Sequence, residues 1–217
     1  MSIEILGISG SPIINGNTDR LVKAILKESE RDSKFTNLSK LNFGSCRGCA
    51  HNCATTSMCG VKDDLFPYLK DIRDSKALVF GTAIHHGTMT AWMYSFFSRL
   101  WCFLHENKTL NSRPVIFVSV GIDDIRKDRG PFRASLVKEH KFNIIGEIYF
   151  RSLVPPCFKC GKGDRCQWGG LWRMVGRDTQ ALQRFKITSD KFRKWEDDEQ
   201  ITAAVKKYGK ILSEILS

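Results

Sequence analysis

The sequence predicts an α/β fold: a doubly wound, five-stranded parallel sheet, with one cysteine-rich loop and one cysteine-bearing insert towards the C-terminus. Three observations lead there. Short apolar runs alternate with helical patterns, two of those runs have the β-branched character of buried parallel strands, and the last stretch carries a single apolar helical face.

The first run, Ile3 to Ile8 (IEILGI), ends in a loop of Gly, Ser, Pro and Asn, after which a helix is expected from Thr18 to Glu30. Phe35 to Leu41 reads as a weaker second strand. Lys76 to Phe80 (KALVF) and Pro114 to Val120 (PVIFVSV) are the two β-branched runs, and the aromatic-rich stretch Thr90 to Leu104 between them is helical in character. Asn143 to Phe150 (NIIGEIYF) is the fifth strand. From Gln200 to Leu216, the residues Ile201, Ala204, Val205, Tyr208, Ile211, Leu212 and Ile215 share one helical face. Two segments break the alternation, the loop Gly44 to Gly60 and the long stretch Ser152 to Asp198. A connection of the second kind inside a compact fold is usually functional. The expected organisation is a core over 1–150 carrying the loop 44–60, an insert over 151–198, and a core helix over 199–217.

Of the 217 residues, 42% are hydrophobic, enough for the core of one α/β domain. The start MSIEILGISGSP lacks the basic and apolar regions of a signal peptide, and no apolar run is long enough to span a bilayer. A soluble, cytoplasmic protein with no membrane association is expected. The net charge of +11 favours anionic partners. It is spread along the chain, densest between Lys159 and Lys194, without a basic tail or repeat, so a solvated basic surface is favoured over nucleic-acid binding.

The segment Ser9-Gly10-Ser11-Pro12-Ile13-Ile14-Asn15-Gly16-Asn17-Thr18 joins the first strand to a helix. Small polar residues and glycines around a helix N-terminus, at the carboxyl end of a strand, make an anion-binding loop. Its spacing is neither that of a dinucleotide loop nor that of a P-loop. An ordinary turn capped by Asn17 or Thr18 is the plainer alternative.

GISGSPIINGNTDRL resembles the phosphate loop of the NADPH-dependent FMN reductase and iron-sulfur flavoprotein group of the flavodoxin-like superfamily. The match lies at Gly10, Ser11, Pro12, Gly16, Asn17 and Thr18, and Ile13 stands where the group usually has arginine. ALVFGTAIHHGTMTAWMYSFFSRL is similar to the group's second flavin loop and its helix at Gly87, Thr88, Met89, Ala91, Phe96 and Arg99. There Ala83 replaces proline, His85 tyrosine, Tyr94 lysine and Ser98 aspartate. The resemblance implies non-covalent FMN held by Ser9, Ser11, Pro12, Asn15, Gly16, Asn17, Thr18, Thr82, Ala83, Ile84, His85, His86, Gly87 and Gly121, with His85 beside the flavin ring. It also implies a homo-oligomer, for which the helix around Trp92, Phe96, Phe97 and Trp101 offers a face; plain core packing of that helix is the alternative.

Seven of the eight cysteines fall into two groups. Cys46, Cys49, Cys53 and Cys59 can surround one cubane cluster or hold a zinc, and the region resembles the compact [4Fe-4S] motif of iron-sulfur flavoproteins with one extra residue between its second and third cysteines. Asp63-Asp64 after it is expected to begin a helix. Cys157, Cys160 and Cys166 follow Pro155-Pro156 and lie outside the resemblance. They are one ligand short of a tetrahedral site, which Cys102, a histidine, Asp164, another subunit or an exogenous ligand can complete, for a second cluster or a zinc. Cys102 itself reads as a buried structural thiol. The expected function is electron transfer by FMN and a [4Fe-4S] cluster with an acidic, ferredoxin-like partner. The alternative is an NAD(P)H-dependent FMN or quinone reductase with structural zinc or free thiols.

Overall fold

A computed structural model describes residues 3–105, 109–122, 131–152, 156–158 and 160–217. The strands are β1 (Ile5–Ser9), β2 (Ser33–Asn37), β3 (Ala77–His85), β4 (Thr88–Met89), β5 (Pro114–Gly121) and β6 (Asn143–Arg151). Five of them run parallel in the order β2-β1-β3-β5-β6, the flavodoxin-like doubly wound arrangement. The sixth, β4, folds back antiparallel on the end of β3. The helices are α1 (Asn17–Glu28), α2 (Ala50–Thr56), α3 (Phe66–Asp74), α4 (Ala91–Arg99), α5 (Pro131–His140), α6 (Gly170–Met174), α7 (Thr179–Arg184) and α8 (Glu199–Ile215).

The sheet has a core on each face, as the period-2 alternation of its strands demands. Leu6, Ile8, Leu78 and Phe80 meet α3 and α4 on one side, where Phe80 packs edge-on to Phe96 and Phe97. Ile5, Val79, Ile116 and Val118 meet α1 and α8 on the other. The approach of α1 is close: a Cβ on Gly81 would lie 2.5 Å from Val22 Cγ2, so a side chain at this position would push helix from sheet.

Several element ends differ from the sequence expectation for local reasons. β2 stops at Asn37, whose side chain accepts from the Ser39 N–H and turns Leu38–Lys40 into a 3-10 turn, so the strand does not reach Leu41. β3 continues beyond Phe80 to His85. Helix α4 is bounded by its cap Thr90, which accepts from the Met93 N–H, and passes into a 3-10 turn over Leu100–Phe103 before Leu104. α3 begins at Phe66, and the Asp63-Asp64 pair precedes it instead of starting it. The stretch after β6 is not irregular throughout: it contains α6, α7 and several 3-10 turns around a small core of Cys157, Phe158, Leu171 and Leu182. Phe96 and Phe97 belong to the main core, whereas Trp92 and Trp101 are exposed. Trp195 is buried, and Trp168 stands almost wholly in solvent.

Candidate functional site

A cavity of about 550 Å³ lies at the carboxyl ends of β1, β3 and β5. Of the residues expected from the sequence to hold the flavin, Ser11, Pro12, Gly16, Asn17, Thr18, Ala83, Ile84, His85 and Gly121 line it. The other five stand behind or beside it. Ser9 is buried and accepts from the Ser11 N–H; Thr82 accepts from the Thr90 N–H. Asn15 faces Lys23 in a neighbouring hollow, and His86 with Gly87 forms the exposed tip of the β3–β4 hairpin. Ile13, Arg20, Val120, Ile122, Ser152, Phe192, Arg193 and Lys194 also line the cavity. Of these, the sequence had marked Ile13 only as standing in place of the group's usual arginine, and the other seven were missed. Ile122 and Ser152 directly follow the ends of β5 and β6, a position that was a readable signal; the residues from 192 to 194 carried none.

Local geometry explains the loop. Helix α1 is capped by Gly16 in an extended conformation with no side-chain bond, so the cap by Asn17 or Thr18 of the plainer alternative is not made and the first N–H groups point out of the helix unsatisfied by a cap. Asp19, 1% exposed, takes the Asn15 N–H at 2.9 Å and the Asn37 amide at 2.8 Å. That amide also reaches the Ser11 carbonyl at 3.0 Å, so a buried Asp–Asn pair holds the loop open behind the cavity. Asn15 adopts φ 55°, the left-handed region an asparagine tolerates. No carboxylate lines the cavity among the described residues, while three cations do. At its edge, His85 pairs with Thr88 across a two-residue turn in which His86 and Gly87 both have positive φ, the geometry of a tight hairpin. His85 is thereby set at the cavity and His86 is turned away from it.

The first cysteine group converges on a second cavity, of about 400 Å³, lined by Cys46, Cys49, Cys53, Cys59 and also Cys102. Cys102 is buried as expected, yet it joins this group in space. Burial, followed by the neighbouring Cys49, Cys46 and Cys59, raises the Cys53 thiol above its ordinary value; burial pushes Cys102 up to about 12. Cys53 Sγ lies 3.0 Å from His105 Nε2. Arg99, with a fully buried side chain, ties the loop down: Nε donates to Cys59 Sγ at 3.2 Å, and the guanidinium donates to the Gly44 and Val61 carbonyls and to Asp63. The Cys46 N–H donates to Ser98 Oγ, and the Gly48 N–H to Cys46 Sγ. Among the described residues, no three His, Cys, Asp or Glu side chains form a group that could hold a metal ion. The thiols line a shared hollow, with N–H donors already aimed at sulfur, and such donors tune a cubane cluster. A zinc would require its thiolates at about 2.3 Å from one point.

In the second group, Cys157 is buried and Cys160 exposed. The Lys162 N–H donates to Cys160 Sγ at 3.4 Å after Gly161 turns the chain with φ 70°. A Cβ on Gly169 would lie 2.6 Å from Cys157 Sγ and 3.6 Å from Cys166 Sγ, so two thiols of this group face one bare backbone position. The side chain of Asp164, a candidate fourth ligand, lies outside the described residues, as does Pro155.

Residues 3–147 match the family model described as NADPH-dependent FMN reductase. An iron-sulfur flavoprotein of Methanocaldococcus jannaschii is 29% identical over 92 residues, 41% of this chain and 47% of that protein, so the chain spans about half the length of that relative. An iron-sulfur flavoprotein of Methanosarcina thermophila is 23% identical over 196 residues, 87% of this chain and 93% of that protein. Among solved structures, a flavone reductase superposes with a TM-score of 0.59 at 17% identity, over 98% of this chain and 62% of that one. An azoreductase from Bacillus anthracis gives 0.56 at 10% identity, over 98% and 99%. These likenesses establish the fold. With the family match covering most of the sheet and both loops expected to hold flavin, the chain belongs to the NADPH-dependent FMN reductase family.

Proposed function

We propose that the chain is a flavin-dependent oxidoreductase that holds FMN in the cavity at the ends of β1, β3 and β5 and a [4Fe-4S] cluster on Cys46, Cys49, Cys53 and Cys59. The observation that carries this reading is the cavity itself. It has the size of a small-ligand site, an uncapped helix N-terminus, a cationic lining and a position at the topological switch point of the sheet. Bound FMN exchanges one or two electrons and a cubane cluster one, so together they couple a two-electron reaction to a one-electron carrier. The protein's part is positional. The loop Ser11–Thr18 receives the phosphate, Ala83–His85 and Gly121 receive the ring, and the N–H donors from Arg99 and Gly48 stabilise thiolate sulfur.

The partner in this reading is an acidic ferredoxin-like protein, drawn by the +11 charge, and its association slows as salt rises. The exposed Trp92 and Trp101 on and after α4 offer a face to a second copy of the chain. In this reading Cys157, Cys160 and Cys166, with a fourth ligand from elsewhere, are drawn together by a second cluster or a zinc, which staples an insert whose core among the described residues is Cys157, Phe158, Leu171 and Leu182. The family description supports a second reading, direct reduction by NADPH; in that reading the cysteines hold zinc or no metal.

One experiment separates them: anaerobic purification, followed by a visible spectrum with iron, sulfide and zinc assays per flavin. Flavin bands over a broad iron-sulfur shoulder, with about four or eight irons per chain, support the first reading. Bare flavin with rapid NADPH oxidation moves the protein to the second. No flavin at all removes both.

A further inference from the structure

We infer that the insert completes the flavin site, and that Lys194 is the cation by which the site selects the phosphorylated flavin. The inference rests on the FMN reading above and adds to it a residue 176 positions from the phosphate loop.

The anion loop Ser9 to Thr18 contains no cationic side chain. A phosphate bound only by neutral donors forgoes the roughly twofold stronger charge-assisted hydrogen bonds. Three cations line the cavity, and the structure distinguishes them. Arg20 is engaged by Glu196 at 2.6 Å and by the Asn15 carbonyl and Asn17 Oδ1. Arg193 is engaged by Asp198 at 2.7 Å and by the Arg151 carbonyl, and its guanidinium lies over the Phe150 ring. Lys194 is exposed; Glu196 feels its charge, and it also borders a neighbouring hollow with Asp190 and Asp197, but among the described residues it closes no ion pair with a carboxylate.

Its backbone is fixed to the anion loop itself. The Asn17 amide donates to the Arg193 carbonyl at 3.1 Å, and Asn17 Oδ1 accepts the Trp195 N–H at 3.3 Å. One side chain at the first turn of α1 therefore brackets residue 194 from both sides. Trp195, 8% exposed in the α1–α8 core, anchors the next position. An exposed lysine held by its neighbours at the mouth of a cavity, above an uncapped helix N-terminus, is a charge placed for an anion. The Asn17 side chain accordingly positions the insert, where the sequence alone assigned it to the ligand.

The test compares FMN with riboflavin, which lacks only the phosphate, by fluorescence quenching of the flavin-free full chain. The wild type, Lys194→Gln, Lys194→Arg and Asn17→Ala are titrated at two salt concentrations. For Lys194→Gln we expect FMN Kd to rise about tenfold, as the loss of one charge-assisted bond predicts, with riboflavin Kd unchanged and a shallower salt dependence. Lys194→Arg is expected to restore most of the difference, and Asn17→Ala to weaken FMN by freeing the strap. A Lys194→Gln protein that keeps the wild-type ratio of FMN to riboflavin affinity overturns the inference and leaves FMN binding intact. A wild type that does not prefer FMN to riboflavin overturns the FMN reading itself. Lys194 is exposed and caps no long helix, so the thermal melting of its variants should match that of the wild type.

Discussion

Replacing Arg99 by methionine keeps an unbranched side chain in the core but removes the guanidinium that ties the cysteine loop to α4. The Arg99 side chain is 0% exposed and its partner Asp63 18%. The substitution leaves Asp63 without its cation, the Gly44 and Val61 carbonyls without a donor, and Cys59 Sγ without its N–H. Breaking a buried pair from one side costs about 3–5 kcal/mol; Asp63 can regain some water, so the low end, about 3, applies. For a chain of this size each kcal/mol lowers Tm by roughly 2–4 °C, giving a fall of about 6–12 °C. The assay is thermal unfolding of flavin-free, metal-free protein for wild type, Arg99→Met, Asp63→Asn and the double variant. The double variant should be less unstable than the two single losses added together, with a coupling of about 1–3 kcal/mol. The pair also has a pH signature. Burial alone would raise the Asp63 carboxyl, but the Arg99 hydrogen bond and charge outweigh it and hold it below its usual value. The stability it gives is therefore present above the unfolded carboxylate value and disappears only as pH falls through the lower folded one. An Arg99→Met protein whose melting lies within about 2 °C of wild type would refute the reasoning, since typical substitutions away from such networks cost that little.

Further outcomes follow from other residues. His140 is 2% exposed and stacked on Phe142, its Nδ1 has no hydrogen-bond partner among the described residues, and burial lowers it to about 4. Its folded value lies below the unfolded one of about 6.5, so stability present at neutral pH is lost between roughly pH 6.5 and 4, by about 3 kcal/mol in all. His140→Phe should flatten that part of a urea-unfolding pH profile, and an unchanged slope would sink the assignment. Gly169→Ala should drive Cys157 Sγ away and lower the metal content of the chain; an equal metal content in the variant counts against a site there. His85→Ala should weaken FMN binding and shift the flavin redox potential, and no change in either would show the ring to be a bystander.

The sheet was legible because its signals are local and periodic. KALVF and PVIFVSV became the two central strands β3 and β5, and the apolar face after Gln200 became α8. The position of the loop between β1 and α1 was legible for the same reason, since small residues and glycines mark the end of the strand run before the helical pattern begins. Ser33–Asn37 was misplaced because β2 sits at the sheet edge and SKFTN carries almost no apolar signal. The sequence marks Asp63 and Arg99 only as an acid after a loop and a base inside an aromatic helix. A lone arginine among Phe96, Phe97 and Trp101 was the available hint that a charge was being buried against a partner. The role of Asn37 and the tie between Asn17 and the segment around residue 194 were illegible, since each rests on a hydrogen bond between residues far apart in the chain.

Helix α4 holds both candidate sites by its two ends. Thr90 at its cap donates to the Gly10 carbonyl of the anion loop at 2.7 Å, while Ser98 and Arg99 at its last turn grip the cysteine loop. Its nine residues rise about 13 Å, so backbone geometry, and not the softness of loops, spaces one loop from the other. Inserting a single residue would turn Arg99 about 100° around the axis, away from Asp63 and Cys59. Over evolution the helix can therefore exchange side chains on its exposed face but cannot change length, and a relative with a longer or shorter α4 must anchor its cysteine loop by another means.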